Sequence, residues 1–131
     1  MKKIGVLNSD LSEAIASMGH MDMLVVADAG LPVPSGVRRI DLAIRQGLPG
    51  FVETVAAIAV ELKVERIIVA EETGQVSPHI LDGLTRVFEG IAVEKVPHAK
   101  FKELSRNAVA IIRTGEFTPY ANVILVSGVV F

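Results

Sequence analysis

The 131-residue chain contains no cysteine, which excludes disulfide bonds and catalysis by a thiolate. It also has no uninterrupted apolar run near the roughly 18 residues that a membrane-spanning helix needs. It lacks a basic stretch, and with a net charge of -2 it is not expected to bind nucleic acid or an anionic membrane. No glycine-rich phosphate loop is present, so hydride transfer and phosphoryl transfer are not favoured as activities.

The amino-terminal sequence is not typical of a targeting segment. Lys2 and Lys3 resemble the basic start of a signal peptide, but polar residues between Asn8 and Glu13 interrupt the apolar segment that would have to follow. Together with the absence of cysteine, this predicts a cytoplasmic location.

Apolar residues are abundant for a chain of this size. Half of the residues are hydrophobic before the 11 glycines are counted, and only 21% are charged. Typical soluble domains are about 45–50% apolar with glycine included. A single domain covering residues 1–131 would have more apolar surface than one monomer can bury, which predicts a homo-oligomer. The apolar ending Val129–Phe131 predicts a buried closing strand, in the core or at a subunit interface.

Apolar runs of strand length alternate with helical patterns along the chain. The predicted strands are 23–27, 37–44, 66–70, 91–96, 108–113 and 122–130, and the predicted helices are 11–18, 51–64, 78–88 and 100–106. This alternation predicts an α/β fold with a largely parallel sheet that helices cover on both faces. Ligands of such sheets bind beyond the carboxyl ends of the strands. Asp28, His98 and the segment 113–116 each follow a predicted strand, so we expect them to share one site.

Five polar residues are candidates for that site, although each has an ordinary structural role open to it. His20 follows a predicted helix and could interact with the helix dipole. Asp28 could form a turn, and His98 could be a loop histidine. Tyr120, the only tyrosine, could be a core or interface aromatic, and Asn122 could bond backbone groups. From the residues alone, these alternatives stay open for all five.

Three segments carry a family resemblance: Leu7–Ser9 with Gly19–His20, then Ala27–Pro34, then Arg113–Asn122. In these segments and in their order, the chain resembles the D-ribose pyranase family from end to end. Gly30 and the sequence Tyr120-Ala121-Asn122 are similar to the ribose branch. The sibling fucose mutarotases have a different residue after the Asp-Ala pair and Tyr-Gly-Asn near the end.

The resemblance implies an isomerase that interconverts the β-pyranose and β-furanose forms of D-ribose through ring opening, without a metal or organic cofactor. It implies that His20 donates a proton and that four residues hold the sugar: Asp28, His98, Tyr120 and Asn122. Ring opening needs a proton on the ring oxygen while the anomeric hydroxyl loses one, and histidine suits this near neutral pH. Asp28 would hold a sugar hydroxyl or fix the tautomer of the histidine. The resemblance also implies a ring-based homodecamer.

Other functions stay open at this point. His20, His98 and Asp28 form a possible two-histidine, one-carboxylate set for zinc or iron. A non-catalytic ribose-binding or transporter-associated module would use the same polar loops, and a fucose mutarotase is the sibling alternative. The sequence leaves open the anomer preference, the acceptance of other sugars and the oligomer size. It also leaves open whether His20 and Asp28 of one chain meet Tyr120 and Asn122 of a neighbour.

Overall fold

A computed structural model describes residues 1–131, whose strands form one mixed sheet. The strands are β1 (Met23–Ala27), β2 (Arg38–Asp41), β3 (Val64–Ala70), β4 (Ala92–Val96), β5 (Ala110–Arg113) and β6 (Val123–Ser127). The helices are α1 (Ser9–Ser17), α2 (Phe51–Ala59), α3 (Glu71–Val76), α4 (Pro78–Val87) and α5 (His98–Ser105). No helix combines the length and the apolar character that crossing a membrane would require.

The direction of β6 determines which loops meet. The strand order is β2-β5-β1-β6-β3-β4, and β6 pairs antiparallel with both β1 and β3, whereas the other pairings are parallel. Residues that precede β6 therefore lie beside the carboxyl ends of the other five strands. We call this end of the sheet the carboxyl edge. Residues that follow β6 lie at the opposite edge, here the amino edge, beside those that precede β1 and β3.

Helices cover both faces of the sheet, as predicted. On one face, apolar side chains of α1, α2 and α4 pack against alternate residues of β1, β3, β5 and β6; Phe51, Val55 and Leu84 are fully buried there. On the other face, Phe101 of α5 is buried in a second apolar cluster that includes Val25 of β1 and Ile68 of β3. The prediction of a largely parallel α/β sheet is confirmed, with β6 as the one reversed strand.

Two helices differ from the prediction for clear physical reasons. The helix predicted over 51–64 ends at Ala59, because Val64 already enters β3 and pairs with Ser127. Helix α3 was not predicted. It is six residues long, contains Gly74 and buries only Thr73, so it has no apolar periodicity to detect.

The prediction of a buried strand reaching residue 130 is wrong for the isolated chain. Strand β6 ends at Ser127, and the backbone N–H of Gly128 donates the last bond, to the carbonyl of Lys63. Neither neighbouring strand extends further, so Val130 and Phe131 are 86% and 101% exposed. The interface alternative for these apolar residues stays a prediction.

Candidate active site

A reciprocal pair of hydrogen bonds joins Asp28, after β1, to Asn122, before β6. The backbone N–H of Asp28 donates to Oδ1 of Asn122, and Nδ2 of Asn122 donates to Oδ2 of Asp28, both at 2.9 Å. Oδ1 of Asp28 also accepts from the N–H of Gly30 at 2.9 Å. Because Asn122 is buried and these bonds fix both side chains, the Asp28 carboxylate is held in one orientation at the carboxyl edge.

His98 and Tyr120 lie beside this pair. Their rings meet edge to face with centroids 5.0 Å apart, and the ring of Phe101 stacks on that of His98 with centroids 6.2 Å apart. Tyr120 has a φ of 60°, a left-handed conformation that is uncommon outside glycine and that turns the chain sharply into β6. Four of the predicted residues, Asp28, His98, Tyr120 and Asn122, therefore meet at one place.

Short polar contacts from α3 and from Ser77, the residue that follows it, stabilise this cluster. Oγ1 of Thr73 donates to the carbonyl of Tyr120 at 2.8 Å, and Oγ of Ser77 donates to that of Pro119 at 2.7 Å. Oε2 of Glu72 accepts from the N–H of His98 at 2.7 Å, at the start of α5. These residues were missed at the sequence level, because nothing in their spacing shows that α3 lies under the loop before β6.

Two adjoining cavities open at the carboxyl edge. The smaller, about 210 Å³, is lined by Asp28, Gly30, Leu31, Pro32, His98, Pro119, Tyr120 and Asn122. The larger, about 360 Å³, shares Asp28, Gly30 and Pro119 and adds Ala29, Arg113, Glu116, Phe117 and Thr118. Pockets for drug-sized ligands are about 300–1,000 Å³, so the smaller cavity suits a molecule with few heavy atoms.

The segment after β5 forms a wall of the larger cavity. The guanidinium of Arg113 donates to both carboxylate oxygens of Asp41 and to the carbonyl of Ala29. The Glu116 carboxylate accepts from the N–H of Phe51 at the start of α2. Arg113 and Glu116 therefore support the loop through separate partners instead of pairing with each other.

The surroundings of His98 disfavour the charged form of its ring. Burial of the ring, and next the positive charge of Lys102, lower the pKa of His98; Glu72 and Asp28 act in the opposite direction and are outweighed. Its Nδ1 atom is buried without a hydrogen-bond partner, so protonation there would leave a buried N–H unpaired. Both observations favour the neutral imidazole at pH 7.

His20 is not part of this cluster. His20 precedes β1, whereas Asp28 follows β1. The five residues of β1 span roughly 16 Å at about 3.3 Å per residue, and this length separates His20 from Asp28. At the amino edge, Nε2 of His20 lies 2.9 Å from Oε2 of Glu65. Within one chain, Asp28 therefore does not orient His20.

Two groupings of residues that the sequence suggested do not occur in the structure. The metal set His20, His98 and Asp28 does not come together in one chain, because His20 lies at the opposite sheet edge. The proposed division of a shared site is also wrong, since Asp28 lies with Tyr120 and Asn122 and not with His20. His79, the third histidine, is exposed on α4.

The sequence profile described as the RbsD / FucU transport protein family matches residues 1–130. Over the whole of both chains, the protein is 58% identical to a D-ribose pyranase of Chloroflexus aggregans and 55% identical to one of Symbiobacterium thermophilum. It superposes on Bacillus subtilis RbsD, solved in complex with D-ribose, with a TM-score of 0.97 and 49% identity over all of both chains. The fucose mutarotase of Streptococcus pneumoniae is more distant, with a TM-score of 0.82, 28% identity and 95% coverage of each chain.

Proposed function

The chain belongs to the RbsD / FucU family, and we propose that it is a D-ribose pyranase, an isomerase interconverting the β-pyranose and β-furanose forms of D-ribose. The full-length identity to relatives of that name supports the activity. The observation that carries the proposal is the small cavity whose wall combines a fixed carboxylate, a neutral histidine, a phenol and an amide. These groups match the hydroxyl-rich surface of a pentose.

The sugar-binding capacity of the site follows from what its hydrogen bonds leave free. The Asp28 carboxylate accepts two bonds within the chain, from Gly30 and Asn122, and an ionised carboxylate has about four acceptor positions. The remaining positions accept bonds from sugar hydroxyls. Nδ2 of Asn122 has a second hydrogen to donate, and the Tyr120 hydroxyl both donates and accepts.

We assign the acid step to His20 of a neighbouring subunit. His20 of the same chain is at the wrong sheet edge, so a complete site needs a second copy whose amino edge faces this cavity. The imidazolium of His20 donates a proton to the ring oxygen. The Asp28 carboxylate accepts the proton of the anomeric hydroxyl as the C1–O5 bond breaks, and neutral His98 holds the sugar by a hydrogen bond. Closure reverses the transfers: the hydroxyl on C4 attacks C1 and gives its proton to His20, and the carbonyl oxygen regains a proton from Asp28.

The closed homo-oligomer implied by this arrangement is a proposal, and the ring-based decamer is its specific form. The apolar composition and the exposed residues Val130 and Phe131 support extensive contact between copies. The cytoplasmic location stays a prediction from the sequence.

Exchange NMR on D-ribose tests the activity. With the protein present, we expect faster exchange between the ribopyranose and ribofuranose signals, and a larger acceleration for ribose than for L-fucose. Unchanged exchange at high protein concentration would show that the protein does not catalyse the reaction, whether or not it binds the sugar. A preference for fucose would assign it to the sibling branch, and a loss of rate on dialysis against chelator that zinc or iron restores would favour a metal enzyme.

A complementation experiment tests the shared site. His20→Ala and Asp28→Asn proteins are each expected to be inactive, and Asp28→Asn avoids the unpaired backbone N–H that Asn122→Ala would create. After dissociation and random reassembly, about a quarter of the sites combine both intact halves. Activity should rise to a substantial fraction of wild type. A flat result in assemblies shown by native mass spectrometry to be mixed would place the whole site in one subunit.

A further inference from the structure

The carboxylate of Glu65 is the hydrogen-bond partner of the His20 ring, with Oε2 2.9 Å from Nε2. We propose that Glu65 is the positioning residue for the proton donor, and this inference rests on the proposed function. Because a carboxylate accepts hydrogen bonds, Glu65 assigns the proton to Nε2 of the neutral ring. Nδ1 is then the nitrogen that faces the neighbouring subunit's cavity and donates to the sugar when the ring is protonated.

A β-bulge directs Glu65 towards His20. Val64 pairs with Ser127 and Arg66 with Val126, so β3 has one residue more than β6 at this point, and that extra residue is Glu65. As a result, Val64 and Ile67 face the same core although they are three positions apart. Bulges of this kind re-aim a side chain and occur often next to active sites.

The turn that carries His20 is fixed to the same end of β6. The N–H of Met21 donates to the carbonyl of Ser127, and the N–H of Ser127 donates to the carbonyl of Asp22, both at 2.9 Å. Oδ2 of Asp22 accepts from the N–H of Gly19 at 2.8 Å, and Met21 has a φ of 71°. His20 and Glu65 are therefore both held relative to one strand end, which sets the distance between them.

Gly128 leaves room for this arrangement. A Cβ atom at this position would lie 3.0 Å from Cβ of Glu65 and 3.5 Å from its Oε2. A side chain there would crowd Cβ of Glu65 and so disturb the side chain whose carboxylate holds His20. The absence of a side chain at Gly128 therefore helps Glu65 to keep its position beside His20.

Stability alone does not explain so specific an arrangement. The side chains of His20 and Glu65 are 52% and 33% exposed, and ion pairs that are this exposed contribute little to stability. The bulge interrupts the β3–β6 ladder, and the left-handed Met21 is strained for a residue with a side chain. A directional role for the pair accounts for these features, because orientation of the ring determines which nitrogen is available.

Glu65→Ala, Glu65→Gln and Glu94→Ala proteins test the assignment. Glu94 is the matched control, since it forms a similarly exposed pair with Arg66, which adjoins the same bulge, at 2.6 Å. We expect Glu65→Ala to lower kcat for ribose exchange about 10- to 100-fold with little change in KM, as for other carboxylates that orient a functional histidine. Glu65→Gln should recover most of the rate because its amide oxygen still accepts from Nε2–H, and Glu94→Ala should resemble wild type.

The tautomer of His20 provides a readout that does not depend on activity. Imidazole ¹⁵N shifts at alkaline pH, assigned with a His20→Ala sample, should show the Nε2–H form in wild type, Glu65→Gln and Glu94→Ala. Glu65→Ala should show a mixture of tautomers. Wild-type kcat and an unchanged tautomer in Glu65→Ala would overturn the inference. If wild type fails to accelerate ribose exchange, the proposed function fails, and the tautomer comparison still decides whether Glu65 sets the ring.

Discussion

At the scale of the residue, the protonation of His98 links the site to the stability of the fold. Burial lowers the pKa of His98, whereas the unfolded chain binds this proton near pH 6.5. As the pH falls through about 6.5, the unfolded state gains a proton that the folded state does not bind until its own lower pKa is reached. The free energy of unfolding is therefore expected to decrease over this interval.

Thermal or urea unfolding at several pH values between about 7.5 and 5.5 measures this decrease. His98→Gln should lose less stability than wild type over the interval, because the titrating group is absent. His79→Gln is the control, since His79 is exposed, and should follow wild type. Identical pH dependence for His98→Gln and wild type would show that His98 does not contribute.

His20→Ala should separate chemistry from binding. General acid–base steps contribute about 100- to 10,000-fold, so most of the ribose exchange should be lost. Sugar binding should remain detectable by calorimetry, because the cavity is lined by residues from the other edge of the same sheet. His79→Ala should be nearly silent, and equal losses from the two variants would mean that the acid is a different residue.

At the scale of the element, Gly115 fixes the loop between β5 and β6. A Cβ atom there would lie 2.5 Å from the carbonyl oxygen of Arg45 and 2.6 Å from that of Leu48, both backbone atoms. Gly115→Ala is expected to destabilise the protein by about 1–3 kcal/mol, as overpacking does, and to raise the KM for ribose by shifting the Arg113–Pro119 wall. Urea unfolding and exchange NMR measure the two effects.

Gly19→Ala is the comparison for stability only, because its added carbon meets nothing closer than Oδ2 of Asp22 at 3.7 Å. Equal stability of the two variants would contradict the steric argument.

Local patterns were sufficient for most strands and for the shared position of Asp28 and His98, because apolar runs and the residues that follow them are visible in sequence. The reversed direction of β6 could not be predicted, because an apolar run does not show which way a strand runs in the sheet. The position of His20 could have been predicted: His20 and Asp28 flank the same strand, 23–27, and must lie at opposite sheet edges. The position of Glu65 next to His20 could not have been predicted, because a bulge depends on the pairing register with β6 and not on a motif.

At the scale of the whole molecule, the exposed carboxyl terminus is expected to contribute to assembly. Val130 and Phe131 are almost fully solvent-accessible in one chain, and apolar residues in that state favour burial against another copy. Removal of Val129–Phe131 should lower the assembly state or the solubility. Light scattering over a range of concentrations measures this, and a stable, fully active monomer would contradict it.

The placement of His20 and the sugar cavity at opposite edges of one sheet has a genetic consequence. If each site borrows its acid from a neighbour, every subunit takes part in two sites, one at each edge. A chain carrying both His20→Ala and Asp28→Asn would then inactivate its own cavity and also the one that it serves. In cells that co-express it with wild type, activity would fall with the square of the wild-type fraction instead of in proportion to it. The double variant would therefore be dominant negative, because it inactivates sites in the mixed assemblies that it forms with wild-type subunits.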